Sequence, residues 1–295
     1  MKVLISIIGE QPIPNILPVL YLKPDKNIFL YSTTTEKIAE KLGKLLPNSY
    51  KEKVEPYDLQ NILTKVHQFI NQDEQYLFNI TGGTKIMSIA LYQISTFKKS
   101  EFVYLQSEGN KSILYKYKYE NDNIVLVKDA LPELINVDLY LKAHLPDYSI
   151  FEISENQNSG RRYENVVINT LRNNGFEVIA NVKPKGEGNK LEIDAVIRLK
   201  GTNNVAVAEI KIGDKEEKGP KSGIDQLALA GQREYLGIYT NRFLITSRQL
   251  SKHIKELAIA HKMIVVDGIE QNRHNENLTA ESQVKLIQKF KEKLS

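Results

Sequence analysis

The sequence predicts an α/β protein of two domains, and three observations carry that expectation. In the first half, short β-branched runs alternate with segments of helical spacing. In the second half the order changes to helix, strand, hairpin, helix, strand, helix and strand. The length of 295 residues exceeds a typical single domain, and 41% hydrophobic residues suffice to fill more than one core.

The first apolar run (VLISII) is broken by Gly9, Glu10, Gln11 and Pro12, has no cleavage pattern behind it, and is too short to cross a membrane. It reads as a buried strand, Val3–Ile8. Ile28–Tyr31, Tyr76–Ile80 and Phe102–Leu105 are expected strands as well, with Thr34–Leu46, Leu59–Phe69 and Thr84–Thr96 as the helices between them. Such alternation implies βαβ crossovers and a mostly parallel, doubly wound sheet, which binds ligands beyond the carboxyl ends of its strands. Ser112–Tyr119 and Asn123–Val127 read as an antiparallel hairpin, and Leu131–Leu145 has helical character.

The polar stretch Ser154–Gly160 (SENQNSG) has the composition of a linker, which places the domain boundary near residues 145 to 158 and the domains at 1–150 and 158–295. Past it come a helix (Arg161–Asn173), a strand (Phe176–Val182), a hairpin (Leu191–Leu199 and Val205–Ile212) and a helix (Ile224–Tyr235). A strand (Arg242–Thr246), a helix (Ser251–His261), a strand (Met263–Val266) and an amphipathic closing helix (Glu281–Leu294) complete the second domain.

Composition narrows the chemistry. The absence of cysteine excludes a disulfide framework, a thiolate zinc site and a cysteine nucleophile, and fits a reducing, cytoplasmic setting. A net charge of +4 permits a nucleic-acid partner without demanding one, and no apolar run is long enough to enter a membrane.

The hairpin of the second domain carries a charge pattern that a buried sheet does not tolerate unaided. Glu192, Asp194 and Val196 share one strand face; Leu191, Ile193, Ala195 and Ile197 take the other, toward the core. On the partner strand Val205, Val207, Glu209 and Lys211 share a face. A tight turn around Gly201 and Thr202 sets Asp194 across from Glu209. Opposed carboxylates repel and lose hydration, and a divalent cation between them removes the conflict. Carboxylate oxygen suits Mg²⁺ or Mn²⁺, and Lys211 stands on the same face, where it can orient or activate a water. An isolated Glu-x-Lys on a solvated strand is only a pair of surface charges; here the acid, the hairpin and the flanking helices accompany it.

At the end of the strand YLFNI, Asn79 leads into Thr81, Gly82, Gly83, Thr84 and Lys85 and then a helix. Two glycines allow a sharp turn and close approach of a ligand, and the helix N-terminus offers N–H groups to anions. The turn is neither a P-loop nor a dinucleotide fingerprint. The loops Gly9–Asn15, with Gln11 and Asn15, and Ser32-Thr33-Thr34 should reach the same sheet edge.

Asp194, fourteen intervening residues and Glu209-Ile210-Lys211 resemble the PD-(D/E)xK restriction-endonuclease-like superfamily, although Ile193 stands where the family has a proline. The resemblance implies a catalytic set of Glu164, Asp194, Glu209, Lys211 and Gln226, with Asp194, Glu209 and Ile210 holding the metal. Glu192 is a same-face competitor that fits the motif less well. The loops of the first domain resemble the CRISPR-associated Rossmann fold (CARF) sensor, in the branch fused to such a nuclease. That resemblance implies a Rossmann-like CARF domain followed by a restriction-endonuclease-like α/β domain. It also implies a homodimer that binds a cyclic oligoadenylate, with cyclic tetra-adenylate the expected ring, as allosteric activator of RNA or DNA cleavage in type III CRISPR antiviral defence. Gln11, Asn15, Ser32, Thr33, Thr81, Gly82, Gly83, Thr84 and Lys85 are then the ligand-binding residues. Two other readings compete: a non-catalytic nucleotide-binding regulator, and a constitutive DNA repair or restriction nuclease.

Overall fold

Continuous β-branched runs such as VLISII are buried on both faces, as a parallel sheet covered by helices requires. The computed structural model describes residues 1–121, 123–145, 147–150, 159–185, 191–213, 218–232, 235–237, 240–272 and 277–295. The greater part of the expected linker, residues 154–158, lies outside them. The chain divides into two compact units, Met1–Leu134 with Lys142–His144, and Ile135–Leu141 with Leu145–Ser295.

The first unit comprises β1 (Lys2–Ile7), α1 (Ile13–Leu22), β2 (Lys26–Tyr31), α2 (Glu36–Leu45), β3 (Ser49–Lys53), α3 (Leu59–His67), β4 (Gln75–Asn79), α4 (Lys85–Lys98), β5 (Glu101–Glu108), β6 (Lys111–Glu120) and β7 (Asn123–Ala130). Its strands form one sheet in the order β3-β2-β1-β4-β5-β6-β7. β3 through β5 run parallel, and β6 and β7 are antiparallel. One face, with Val3, Ile5, Ile7, Tyr76 and Phe78, packs on Ile62 and Val66 of α3 and Met87, Ala90 and Leu91 of α4. After β3 the chain returns to the other side of β1 to form β4. Strand order therefore switches direction between β1 and β4, and their carboxyl ends open the crevice where such sheets take ligands.

α1 was not expected, because Pro14 and Pro18 argue against a helix. Pro14 occupies the first turn, where a missing N–H costs nothing. Pro18 has no N–H to give the carbonyl four residues back, so Pro14 O takes the side-chain amide of Asn79 instead, at 3.1 Å. The expected loop from Gly9 to Asn15 is thus shortened by the helix that begins at Ile13.

The second unit holds most of α5 (Val137–His144), then β8 (Tyr148–Ile150), α6 (Ser159–Asn173), β9 (Phe176–Pro184), β10 (Ile193–Leu199), β11 (Val205–Lys211), α7 (Lys218–Ala230), β12 (Asn241–Thr246), α8 (Lys252–Ala260), β13 (Ile264–Val266) and α9 (Ala280–Leu294). The sheet order is β13-β12-β11-β10-β9-β8, with β11 to β13 parallel and the rest antiparallel. Ala195, Ile197, Ala206, Ala208, Ile210 and Phe243 form a core with Tyr163, Val167 and Leu171 of α6 and Phe290 of α9. The opposite face lies against α7, where Gly223 lets the helix approach closely: a Cβ there would stand 3.0 Å from Leu244 Cδ1 and 3.6 Å from Glu209 Cβ. α7 begins six residues before the expected start at Ile224, so Asp225 and Gln226 lie inside the helix and not at its N-terminus. The helix expected over Leu131–Leu145 is confined to α5, and β3 and β8 are strands the periodicity did not reveal. No helix among the described residues is long and apolar enough to cross a membrane.

Candidate functional site

In the first unit the crevice is built by backbone approach. A Cβ on Gly82 would lie 2.5 Å from Ile7 O and 2.9 Å from Gly9 N, so only glycine lets the turn after β4 rest on the end of β1. Gly83 adopts φ +65°, in the left-handed region. Asn79, fully buried, links the elements around the crevice. Its Nδ2 donates to Pro14 O and, at 3.4 Å, to Asn15 Oδ1, and its Oδ1 accepts from Thr81 N and Thr81 Oγ1. Thr81 Oγ1 also accepts from Leu105 N at 2.8 Å.

Several expected ligand residues are therefore occupied with structure. Thr84 Oγ1 accepts from Met87 N as the cap of α4 and donates to Pro56 O at 2.6 Å. Ser32 is buried in a hydroxyl cluster with Thr34 and Thr35. Asn15 is fully buried, and its Nδ2 has no hydrogen-bond partner among the described residues. Lys85, in the first turn of α4, and Thr33 are exposed, and Gln11 is half-buried. The roles of Asn79 and the Pro56 carbonyl escaped sequence reasoning; the one available signal was an asparagine ending a buried apolar strand.

In the second unit the pairs Ala195↔Ala208 and Val196↔Val207 set the hairpin register. One step further, Asp194 falls opposite Glu209. Both are buried, with 4% and 1% of their surface exposed, so the surface-charge reading of Glu209 does not describe them. Asp194 Oδ2 accepts from Ile210 N at 2.8 Å and from Lys211 Nζ at 3.1 Å. Lys211 Nζ also lies 2.7 Å from Glu209 Oε2. That contact is an ion pair at hydrogen-bond distance, and Asp194 shares the same ammonium.

Burial, then the nearby Asp194 carboxylate, pushes the Glu209 carboxyl well above the usual range. Burial pulls the Lys211 ammonium down, but Glu209 and Asp194 outweigh it, and the net shift is upward. Glu164 on α6 stands within electrostatic reach of Asp194 and Lys211, and burial followed by Asp194 raises it too. Its Oε2 is held at 3.1 Å by Arg161, whose guanidinium also bonds Glu192 and Asn181 Oδ1. Arg161 and Asn181, neither singled out from sequence, thus join Glu192 and Glu164 in a network beside the acids. Gln226 follows Gly223 by one turn of α7, and its buried Oε1 has no partner among the described residues.

A divalent cation fits this donor set. The buried Asp194 and Glu209 carboxyl groups are hard oxygen ligands, and Gln226 Oε1, without a partner among the described residues, is of the same kind. Ile210 packs its side chain into the core, so only its backbone carbonyl is available to an ion. Among the described residues no three acidic or imidazole side chains converge on one point. Asp194 and Glu209 would accordingly hold the ion together with water and substrate oxygens, as Mg²⁺ sites commonly do.

The chain is a Rossmann-like unit followed by an α/β unit of restriction-endonuclease-like fold. Residues 3–140 match the family model of the Card1 CARF domain. Over 100% of both chains it superposes on Can2 from Sulfobacillus thermosulfidooxidans, solved in complex with cyclic tetra-adenylate, with a TM-score of 0.76 at 15% identity. Protein VC1899 from Vibrio cholerae gives 0.74 at 12% identity, covering 99% of this chain and 98% of that one. A type III CRISPR defence DNA nuclease activated by cyclic oligoadenylate gives 0.58 at 13% identity, covering 84% of this chain and 46% of that one. At these identities the likeness is one of fold. No curated protein matches the sequence.

Proposed function

We propose that this protein is a metal-dependent nuclease of type III CRISPR defence, switched on when its CARF domain binds a cyclic oligoadenylate, with cyclic tetra-adenylate the first ring to test. The observation that carries the reading is the cluster of buried Asp194 and Glu209 with half-buried Lys211, on the same chain as a segment that matches a CARF model. Can2, of the same fold, was solved with cyclic tetra-adenylate.

Asp194 and Glu209 would hold Mg²⁺ or Mn²⁺, and a bound ion would supply charge stabilisation for the scissile phosphate. Lys211, which pairs with both acids, stands where it can orient the attacking water or a phosphate oxygen. Gln226 and Glu164 border the site as auxiliary groups.

In the CARF unit Lys85, Thr33 and Gln11 meet the ligand directly, and the Gly82 and Gly83 backbone lines the turn. Asn15, Ser32, Thr81 and Thr84 hold the loops in place. The active species is a homodimer. Ile89, Tyr92 and Phe97 on α4 leave an exposed apolar stripe that suits a second copy. The ligand activates by binding the cleavage-competent dimer better than the resting one.

The two sites separate experimentally. Calorimetry with cyclic tetra-adenylate should show Glu209→Ala binding as wild type does, and Lys85→Ala binding more weakly. Equal affinity in Lys85→Ala would remove that residue from the ligand site, and no binding by wild type would remove this ring as the activator.

A further inference from the structure

Two residues past Lys211 the chain reaches Gly213. A strand continued that far would turn position 213 to the face of Glu209 and Lys211, yet glycine places no side chain there. The neighbouring strand's turn fills the space: a Cβ on Gly213 would lie 2.8 Å from Arg248 Cβ and 3.2 Å from Arg248 Cγ. The stem of Arg248 therefore stands where the next member of the Glu209 and Lys211 row would be.

The turn that carries Arg248 is fastened to the end of β11. Ser247 N donates to Lys211 O at 3.2 Å, and Gly213 N donates to Ser247 Oγ at 3.0 Å. Thr246 Oγ1 closes the turn on Arg248 O at 2.9 Å, and Leu250 N is held by Asp267 Oδ2 at 3.0 Å. A pinned stem ends in an exposed residue, and among the described residues its guanidinium has no acidic partner. Arg161 and Arg198 of the same unit both pair with glutamates.

We propose that Arg248 grips a backbone phosphate of the nucleic-acid substrate adjacent to the one under attack. This rests on the nuclease reading above. Same-face positions of a strand recur about every 6.6–6.8 Å, close to the spacing of neighbouring phosphates along one strand. A reacting phosphate at Lys211 thus brings its neighbour to Arg248. The guanidinium fork suits phosphate oxygens in pairs, and a backbone contact of this kind fixes register without reading sequence.

The test uses the full chain with cyclic tetra-adenylate, and Ca²⁺ in place of Mn²⁺ to bind substrate without cutting it. Anisotropy is measured on labelled single-stranded RNA, single-stranded DNA and duplex DNA over a series of salt concentrations. Arg248→Ala should weaken binding about tenfold, the size of one charge-assisted contact. The slope of log affinity against log salt should fall by roughly 0.7 on single strands or 0.9 on duplex. Arg248→Lys should keep the slope and recover part of the affinity. Mn²⁺ binding followed by electron paramagnetic resonance should be unchanged in all three proteins. An unchanged slope in Arg248→Ala, beside a wild type that binds and cuts, overturns the Arg248 assignment alone. Loss of Mn²⁺ binding would make Arg248 part of the metal scaffold and overturn it as well. A wild type that neither binds nor cuts any of the three overturns this inference together with the nuclease reading.

Discussion

Glu209 sits in a position that a folded protein holds only with help, since burial and Asp194 both disfavour its charge. Without metal, Glu209→Gln should leave stability within about 1 kcal/mol of wild type in urea unfolding, because it replaces an acid already driven toward neutrality by an isostere. Lys211→Ala should cost about 3–5 kcal/mol, because it leaves the buried Asp194 carboxylate without its cationic partner. Asp267 should contribute to the acid dependence. Burial alone would raise its carboxyl; the Lys255 ammonium, Leu250 N–H and Lys285 reverse that and hold it below 3.8. A depressed folded-state value contributes stability above the unfolded one, lost as pH falls through the folded one. Asp267→Asn should therefore lower the melting temperature at neutral pH and flatten its fall below pH 3.8. Asp194, Glu209 and Lys211 were legible because strand alternation and hairpin arithmetic are local. Arg161, Asn181 and Asn79 were not, because their partners come from distant segments.

Between elements, glycine sets the closest approaches. Gly82→Ala would drive a Cβ against Ile7 O and Gly9 N, both backbone, and should destabilise the first unit by about 1–3 kcal/mol while weakening nucleotide binding. Denaturant melts and ligand titration of that variant check both. On the other unit Gly223→Val should push α7 off Glu209 and Lys211, reducing Mn²⁺ affinity as read by resonance. The apolar strands β1, β2, β4, β10 and β11 were readable from their sequence. β3 (SYKEK) was not, since an edge strand of polar residues carries little periodicity. α1 hid behind two prolines, one harmless at a helix start and the other compensated by Asn79, a contact 65 residues away.

At the scale of the molecule, the α/β character and the Rossmann-like first half followed from alternation alone. The boundary that composition places near residues 145 to 158 differs from the division of contacts, which falls near residue 134 and assigns most of α5 to the second unit. A turn-rich stretch signals where a chain is polar, whereas packing decides which core a helix joins, as Tyr140 does through Leu236 and Thr240. If α4 joins two copies, Phe97→Asp should convert the dimer to monomer by light scattering and abolish activation. The most direct test of the whole reading is cleavage of labelled RNA and DNA in Mn²⁺, with and without cyclic tetra-adenylate, by wild type and Glu209→Ala. The expected result is cutting by wild type only when the nucleotide is present, and none by the variant. Undiminished metal-dependent cutting by Glu209→Ala would contradict it.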